Sequence, residues 1–158
     1  MDEREMRAHL TNARVGRLAT VTPSGHPHVV PLCFTVNGDE IFSVVDFKPK
    51  STIDLVRLDN VRANPNVSLV VDHYDDDRWD RLWWVRVDGP ARVVESGVEH
   101  NTAIQLLRSK YPQYALRRPT GAVIALTVRR WTGWSASHAT ARSSIAARQP
   151  ARQSGRSE

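Results

Sequence analysis

Thiol chemistry is nearly absent from this chain. Its 158 residues include one cysteine, Cys33, so no internal disulfide can form. Cys33 falls in the strand-like run Val29–Val36 and reads as a small core residue rather than a nucleophile. That usage fits a reducing cytosol. Long apolar runs are missing too. None approaches the roughly 18 residues a spanning helix needs, and Met1-Asp2-Glu3-Arg4-Glu5 does not open a signal peptide. The predicted location is the cytoplasm, with no membrane partner. The glycines of a Walker loop are lacking. No two histidines stand at the helical i, i+4 spacing of zinc enzymes, and no metal is predicted. The acidic cluster Asp72, Asp75, Asp76, Asp77 and Asp80 has neither the glycine nor the closing glutamate of a calcium loop. It reads as a solvated connection, partly neutralised by Arg78 and Arg81. A domain of this length buries roughly two-thirds of its unfolded surface and needs no covalent staple.

What is present begins with charge. The net charge of +5 suggests nucleic acid, but its distribution argues otherwise. Residues 139–158 hold four arginines (Arg142, Arg148, Arg152, Arg156) against Glu158, a net of +3, which leaves +2 for the rest. This segment is poor in large apolar residues and is predicted to be a disordered basic tail. Such a tail touches acidic partners without reading a sequence. The expected domain is therefore residues 1–138, with no specific nucleic-acid partner.

Within that domain the periodicities give the order α-β-β-β-α-β-β-α-β. A helix is expected over 2–13, with Met6, Leu10 and Ala13 on one stripe. Val15–Thr22, Pro27–Val36 and Glu40–Phe47 read as an antiparallel meander. The Asn37-Gly38 hairpin signal calls for positive φ at both positions. A helix opened by Ser51 carries Ile53, Leu55, Leu58 and Val61 on its apolar side and ends at Asn64-Pro65. Val67–Asp72 is a strand whose unbroken apolar run suggests burial on both faces. Leu82–Val94 is long and interrupted at Gly89-Pro90, the mark of a bulge or corner. Ser96 and Glu99 have capping-box spacing for a helix to about Lys110, which puts Glu99 and His100 at the surface. Ala122–Trp131 is the last strand. Without β-α-β alternation a doubly wound sheet is excluded. The expected fold class is mainly β: a six-stranded antiparallel barrel with flanking helices.

One stretch carries chemistry. The strand that ends at Phe47 gives way to Lys48-Pro49-Lys50, and Ser51 and Thr52 then start a helix. Two ammonium groups, two hydroxyls and free helix-start amides suit a phosphate monoester. The same residues also read as a capped helix beside two solvated lysines.

The runs GRLATVTPSGHPHVVPLCF, VVDFKPKST, VVDHYDDDRWDRLWWVRVDG and WTGWSA resemble the FMN-binding split β-barrel superfamily, over roughly residues 10–136. Within it they resemble the actinobacterial branch of pyridoxamine 5′-phosphate oxidase-like proteins that use the deazaflavin coenzyme F420. The resemblance implies a homodimer with cofactors in grooves between subunits. It implies that Lys48, Lys50, Ser51 and Thr52 hold the cofactor's phosphate or acidic tail. Val30, Pro31 and Leu32 would flank the ring, with Val45 and Asp46 nearby. The helix start KSTIDL has one more residue than relatives with K-T-x-N-L, which leaves open which hydroxyl meets the phosphate. WTGWSASH lacks the substrate-phosphate arginine of the vitamin-B6 oxidases, so that reaction is not expected.

A flavin or deazaflavin carries the hydride itself, so the lack of a catalytic triad is no objection, and no protein residue is assigned a catalytic role. Trp79, Trp83 and Trp134 are candidates to stack a conjugated or aromatic substrate. Trp83 and Trp84 are adjacent on a strand and must face opposite ways, one into the core. The expected activity is F420-dependent hydride transfer. An FMN oxidoreductase on the same fold and a non-enzymatic cofactor-binding protein are the alternatives.

Overall fold

A computed structural model describes residues 1–45 and 52–137, apart from the side chains of 52–55. Helix α1 (Glu3–Asn12) starts where expected, for a local reason. The Asp2 carboxylate accepts from the Glu5 amide, and the Glu5 carboxylate accepts from the Asp2 amide, each at 2.8 Å. Its inner stripe buries Met6 and Leu10.

β1 (Gly16–Val21) pairs antiparallel with β2 (Pro27–Leu32). The strand expected to continue to Val36 breaks at Cys33-Phe34 and resumes as β3 (Thr35–Asn37). Phe34 is fully buried, and its backbone groups are met by a side chain instead of a ladder partner. The Tyr111 hydroxyl accepts from Phe34 N–H at 3.0 Å and lies 2.8 Å from Phe34 O and 2.9 Å from Arg14 O. β3 and β4 (Glu40–Val44) form a hairpin whose Asn37↔Glu40 pair leaves Gly38 and Asp39 as the loop. Gly38 alone has positive φ, at 62°, the type II′ pattern. The expected left-handed Asn37 is not observed.

Helix α2 (Thr52–Ala63) follows, with Leu58 and Val61 buried as predicted. β5 (Asn66–His73) buries Val67, Leu69 and Val71 and leaves Ser68 and Val70 half-buried, so it is covered mainly on one face, not both. After a 3₁₀ turn at Trp79–Arg81 comes β6 (Trp83–Val94), then α3 (Val98–Lys110), α4 (Pro112–Leu116), β7 (Val123–Thr127) and β8 (Arg130–Ser135). No described helix is long and apolar enough to cross a membrane.

The strand path runs β2-β1-β5-β6-β7-β4-β3, with β8 also on β6. β6 belongs to both halves of this split barrel. It pairs β5 up to Pro90 and β7 from Ala91 onward. Gly89-Pro90 is thus the corner anticipated from sequence, although the extra residue lies opposite. Between the Asp88↔Arg130 and Ala91↔Leu126 pairs, β6 has two residues and its partner has Thr127, Val128 and Arg129. That bulge splits the expected last strand into β7 and β8. Together with the break in β2, it makes eight strands rather than six, in a path whose ends do not pair. A Cβ on Gly89 would overlap the Thr127 carbonyl oxygen, so the corner needs glycine.

The main core lies between the two halves, around Leu10, Phe34, Leu69, Val71, Val85 and Val87. A second packs α3 and α4 on β4 and β7 through Ile104, Leu107, Tyr114 and Val123. The start of α3 departs from expectation. Gly97 is the N-cap at φ 96°, and no side chain caps the helix. Glu99 instead pairs with Arg92, which also reaches Glu40 at 3.1 Å. His100, expected at the surface, is buried, with Nε2 donating to Gly121 O at 2.9 Å.

Candidate functional site

The ends of β2 and β4 come together against α2. Pro31, Leu32 and Cys33 from β2 and the residue after it, Val44 from β4, and Arg57 from α2 enclose a cleft of about 230 Å³, closed by Val15 and Tyr114. β2 ends the strand path, and proline suits such an edge because it lacks the N–H a further neighbour would need. Along β2, Val30 is half-buried, Pro31 exposed and Leu32 buried. Val45 donates its amide to Ala122 O at 2.9 Å and packs against the main core. A Cβ on Gly121 would overlap Val45 O, so the chain leaves β4 tightly seated.

Of the residues assigned to the cofactor, Pro31 and Leu32 line this cleft, and Val30 and Val45 flank it in sequence. Asp46, Lys48, Lys50 and Ser51 lie outside the described residues. Thr52 opens α2, but its side chain is not described. Arg57 was missed. An arginine inside a helix reads as solvated, yet Ile53 and Val61 stand four residues to either side of it. Three residues at i, i+4, i+8 share one stripe. Arg57 therefore lies on the inward row, and its Nε is buried.

Behind the cleft sits a packed polar knot. Lys110 Nζ donates to Thr11 O at 3.0 Å and Ala13 O at 2.7 Å, and lies 4.4 Å from the Phe34 ring centroid. Burial, helped by the nearby Arg14 cation, lowers its pKa to about 8, with the Cys33 thiol acting the other way. Burial also raises the Tyr111 phenol. This cluster fixes Phe34 and, through it, Cys33 and Leu32 at the cleft wall.

The tryptophans assigned to a substrate pocket do not line this cleft. Trp83 packs against the main core and stacks on His9, with ring centroids 4.0 Å apart. Burial lowers the His9 pKa, Glu5 raises it, and the His73 ring adds to the lowering. With Glu5, Asp80 and Ser135, Trp83 and His9 line a separate cavity of about 140 Å³. Trp79 is 66% exposed and Trp134 42% exposed, the latter paired in register with Trp84. Trp83 is thus the core-facing member of the adjacent pair.

A larger hollow of about 510 Å³ lies over Ser68, Asp88 and Arg130. Asp88 and Arg130 in its lining are already paired with each other, and Arg129 also borders it. Asp88 accepts from Ser68 Oγ at 2.6 Å and from Arg86 and Arg130, each at 3.2 Å. Burial opposes its ionisation, but these three donors outweigh it and hold the carboxyl below the usual range. The smaller cleft gathers the predicted flanking residues beside a cation, and on that chemistry it is the candidate site.

The family model described as pyridoxamine 5′-phosphate oxidase matches residues 2–135. Among solved structures, a conserved hypothetical protein of Mycobacterium tuberculosis is 24% identical, at a TM-score of 0.70 over 99% of this chain and 94% of that one. An FAD-binding protein of Mesorhizobium loti is 25% identical, at 0.64 over 84% and 94%. The heme storage protein HutZ of Vibrio cholerae is 19% identical, at 0.63 over 84% and 93%. No curated protein matches the sequence. With a split barrel of this topology and a family match spanning all but its first residue and its last segment, the chain belongs to the pyridoxamine 5′-phosphate oxidase family.

Proposed function

We propose that this protein is a cytoplasmic, homodimeric oxidoreductase that binds a deazaflavin, coenzyme F420, in the β2–β4–α2 cleft and reduces a small conjugated or aromatic substrate. The observation that carries the reading is the cleft itself. It brings Pro31 and Leu32 beside Val44, at the end of the strand that leads to Lys48 and Lys50, and adds the Arg57 cation. The bound cofactor would supply the hydride. The chain's own residues would bind and orient it: Leu32, Val44 and Pro31 as an apolar wall, and Lys48, Lys50, Ser51 and Thr52 around its anionic arm. Trp79, Trp83 and Trp134 lie away from the cleft of their own subunit, so any stacking on substrate would have to come across a subunit groove.

FMN is the second reading, favoured by the FAD-binding relative from Mesorhizobium loti. Side-by-side fluorescence titration with coenzyme F420 and with FMN separates the two. Tighter binding of the deazaflavin supports the first reading and tighter FMN binding the second. Failure to bind either overturns both. A charge-assisted contact is worth roughly 1.5–3 kcal/mol where desolvated, so Lys50→Ala should weaken the preferred cofactor about ten- to a hundredfold. Unchanged binding would remove Lys50 from the seat.

A further inference from the structure

Arg129 and Arg130 are neighbours in sequence, yet both line the larger hollow of about 510 Å³. In an unbroken strand adjacent side chains face opposite ways. The bulge opposite Gly89-Pro90 removes that constraint. Arg129 is the last of its three residues, and Arg130 begins β8 in register with Asp88. The Arg129 amide donates to Asp88 O at 2.9 Å, so the bulge is pinned to β6. A Cβ on Gly89 would lie 3.2 Å from Arg129 N as well as striking Thr127 O. The bare glycine thus lets the bulge lie close, and the two guanidiniums converge on one volume.

The two cations are differently placed. Arg130 is held by Asp88, which also accepts from Ser68 and Arg86. With three donors on that carboxylate, little of it is left for a ligand's cation. Arg129 is exposed and has no ion pair among the described residues. Within the lining, two guanidiniums against one carboxylate leave one positive charge. The rest of the lining is mostly apolar, with Ala19, Val21, Pro27 and Pro90 beside the polar Asn66. A volume of this size suits a small organic molecule. A guanidinium fork matches carboxylate oxygens in pairs, and a surplus of one charge suits a monoanion better than a phosphate dianion.

We propose that this hollow is a second binding site, for an amphipathic monocarboxylate whose carboxylate pairs with Arg129 and Arg130 and whose compact apolar body rests on Val21, Pro27 and Pro90. It shares no lining residue with the β2–β4–α2 cleft. The Val21↔Pro27 pair closes one end of the β1–β2 ladder and Gly16↔Leu32, beside the cleft, closes the other. The site therefore stands independently of the cofactor reading.

The test is calorimetric titration of the full chain with naphthoate and with its neutral counterpart naphthylmethanol. The wild type should bind the acid more tightly than the alcohol, and added salt should narrow the gap. Arg129→Met should weaken naphthoate about three- to tenfold, between the worth of an open surface pair and that of a desolvated contact. Asn66→Asp keeps the shape of an exposed lining residue and adds a negative charge, so it should weaken naphthoate by a similar factor. Neither change should move naphthylmethanol more than about twofold. Arg62→Met removes a remote arginine, paired with Glu95, and should leave both ligands unchanged. Equal wild-type affinity for acid and alcohol would overturn the proposal, as would a loss in Arg129→Met no larger than in Arg62→Met. Displacement of naphthoate by FMN or coenzyme F420 would put the acid in the other cleft and overturn it while leaving the cofactor reading intact. Failure of the wild type to bind either probe, as when a second copy of the chain covers the hollow, would overturn it too. Circular dichroism checks folding, and either lining variant decides the question if the other does not fold.

Discussion

Tyr111→Phe removes one oxygen atom and should cost far more than its size suggests. The hydroxyl is buried against Phe34, accepts its N–H at 3.0 Å and lies within 2.9 Å of two carbonyl oxygens. With a single proton it can donate to only one carbonyl at a time, so the deletion strands one buried donor and at least one acceptor. A buried group left unpaired costs about 1–3 kcal/mol. Because the second carbonyl, Arg14 O, is at the more open end, the sum should fall at about 2–3 kcal/mol. In a domain of this size each kcal/mol moves Tm by about 2–4 °C, so a drop of roughly 4–12 °C is expected. Calorimetry or urea unfolding of Tyr111→Phe beside Tyr74→Phe makes the measurement. The Tyr74 hydroxyl reaches Asp76 at 2.8 Å from an exposed position, and its loss should stay within about 0.5 kcal/mol. Phe34 follows Leu32 and Cys33, so cofactor affinity should fall as well. If Tyr111→Phe is as stable as Tyr74→Phe, the hydroxyl is not what ends β2, and the account of the strand break is wrong.

Two further outcomes follow from packing and charge. Gly89→Ala places a Cβ on the Thr127 carbonyl oxygen and should cost about 2–3 kcal/mol or more, whereas Gly25→Ala, at φ 84° in open space, should cost only about 1 kcal/mol for its left-handed backbone; equal melting temperatures for the two variants would sink the corner argument. The Lys110 amine titrates near 8 in the folded chain and near its ordinary 10.5 when unfolded, so between those values the unfolded chain holds more proton. Folding should therefore gain from this group as pH rises from about 8 to 10.5 and gain nothing below 8. Urea midpoints of wild type and Lys110→Met at pH 7.5 and pH 10 should diverge in favour of the wild type.

Much of the fold was legible because it is written in local periods. The first helix with its Met6 and Leu10 stripe, the β1–β2 and β3–β4 hairpins, the buried Leu58 and Val61 of α2 and the Gly89-Pro90 corner all rest on near neighbours. What failed depended on distant partners. The break after Leu32 is invisible without Tyr111, 77 positions away. The capping box at Ser96 and Glu99 lost to Arg92, which draws the Glu99 carboxylate away. His100 looked exposed until Gly121 supplied a carbonyl for its ring. The site was half legible. Pro31 and Leu32 line the cleft, but Arg57 reads as a surface residue until the helix face it shares with Val61 is considered. Trp83 and Trp84 had to part company, and only the β6 alternation with buried Val85 and Val87 says which of them turns inward.

Because β6 is common to both halves of the barrel, neither half can come apart completely while the other survives, whatever frays at the outer edges β2 and β3. Its twelve residues should open only when the whole domain opens, so their amide protons should exchange with solvent at one slow rate on either side of Pro90. A cleft built where the two halves meet would then keep its shape until global unfolding, and its ligand would stabilise both halves at once.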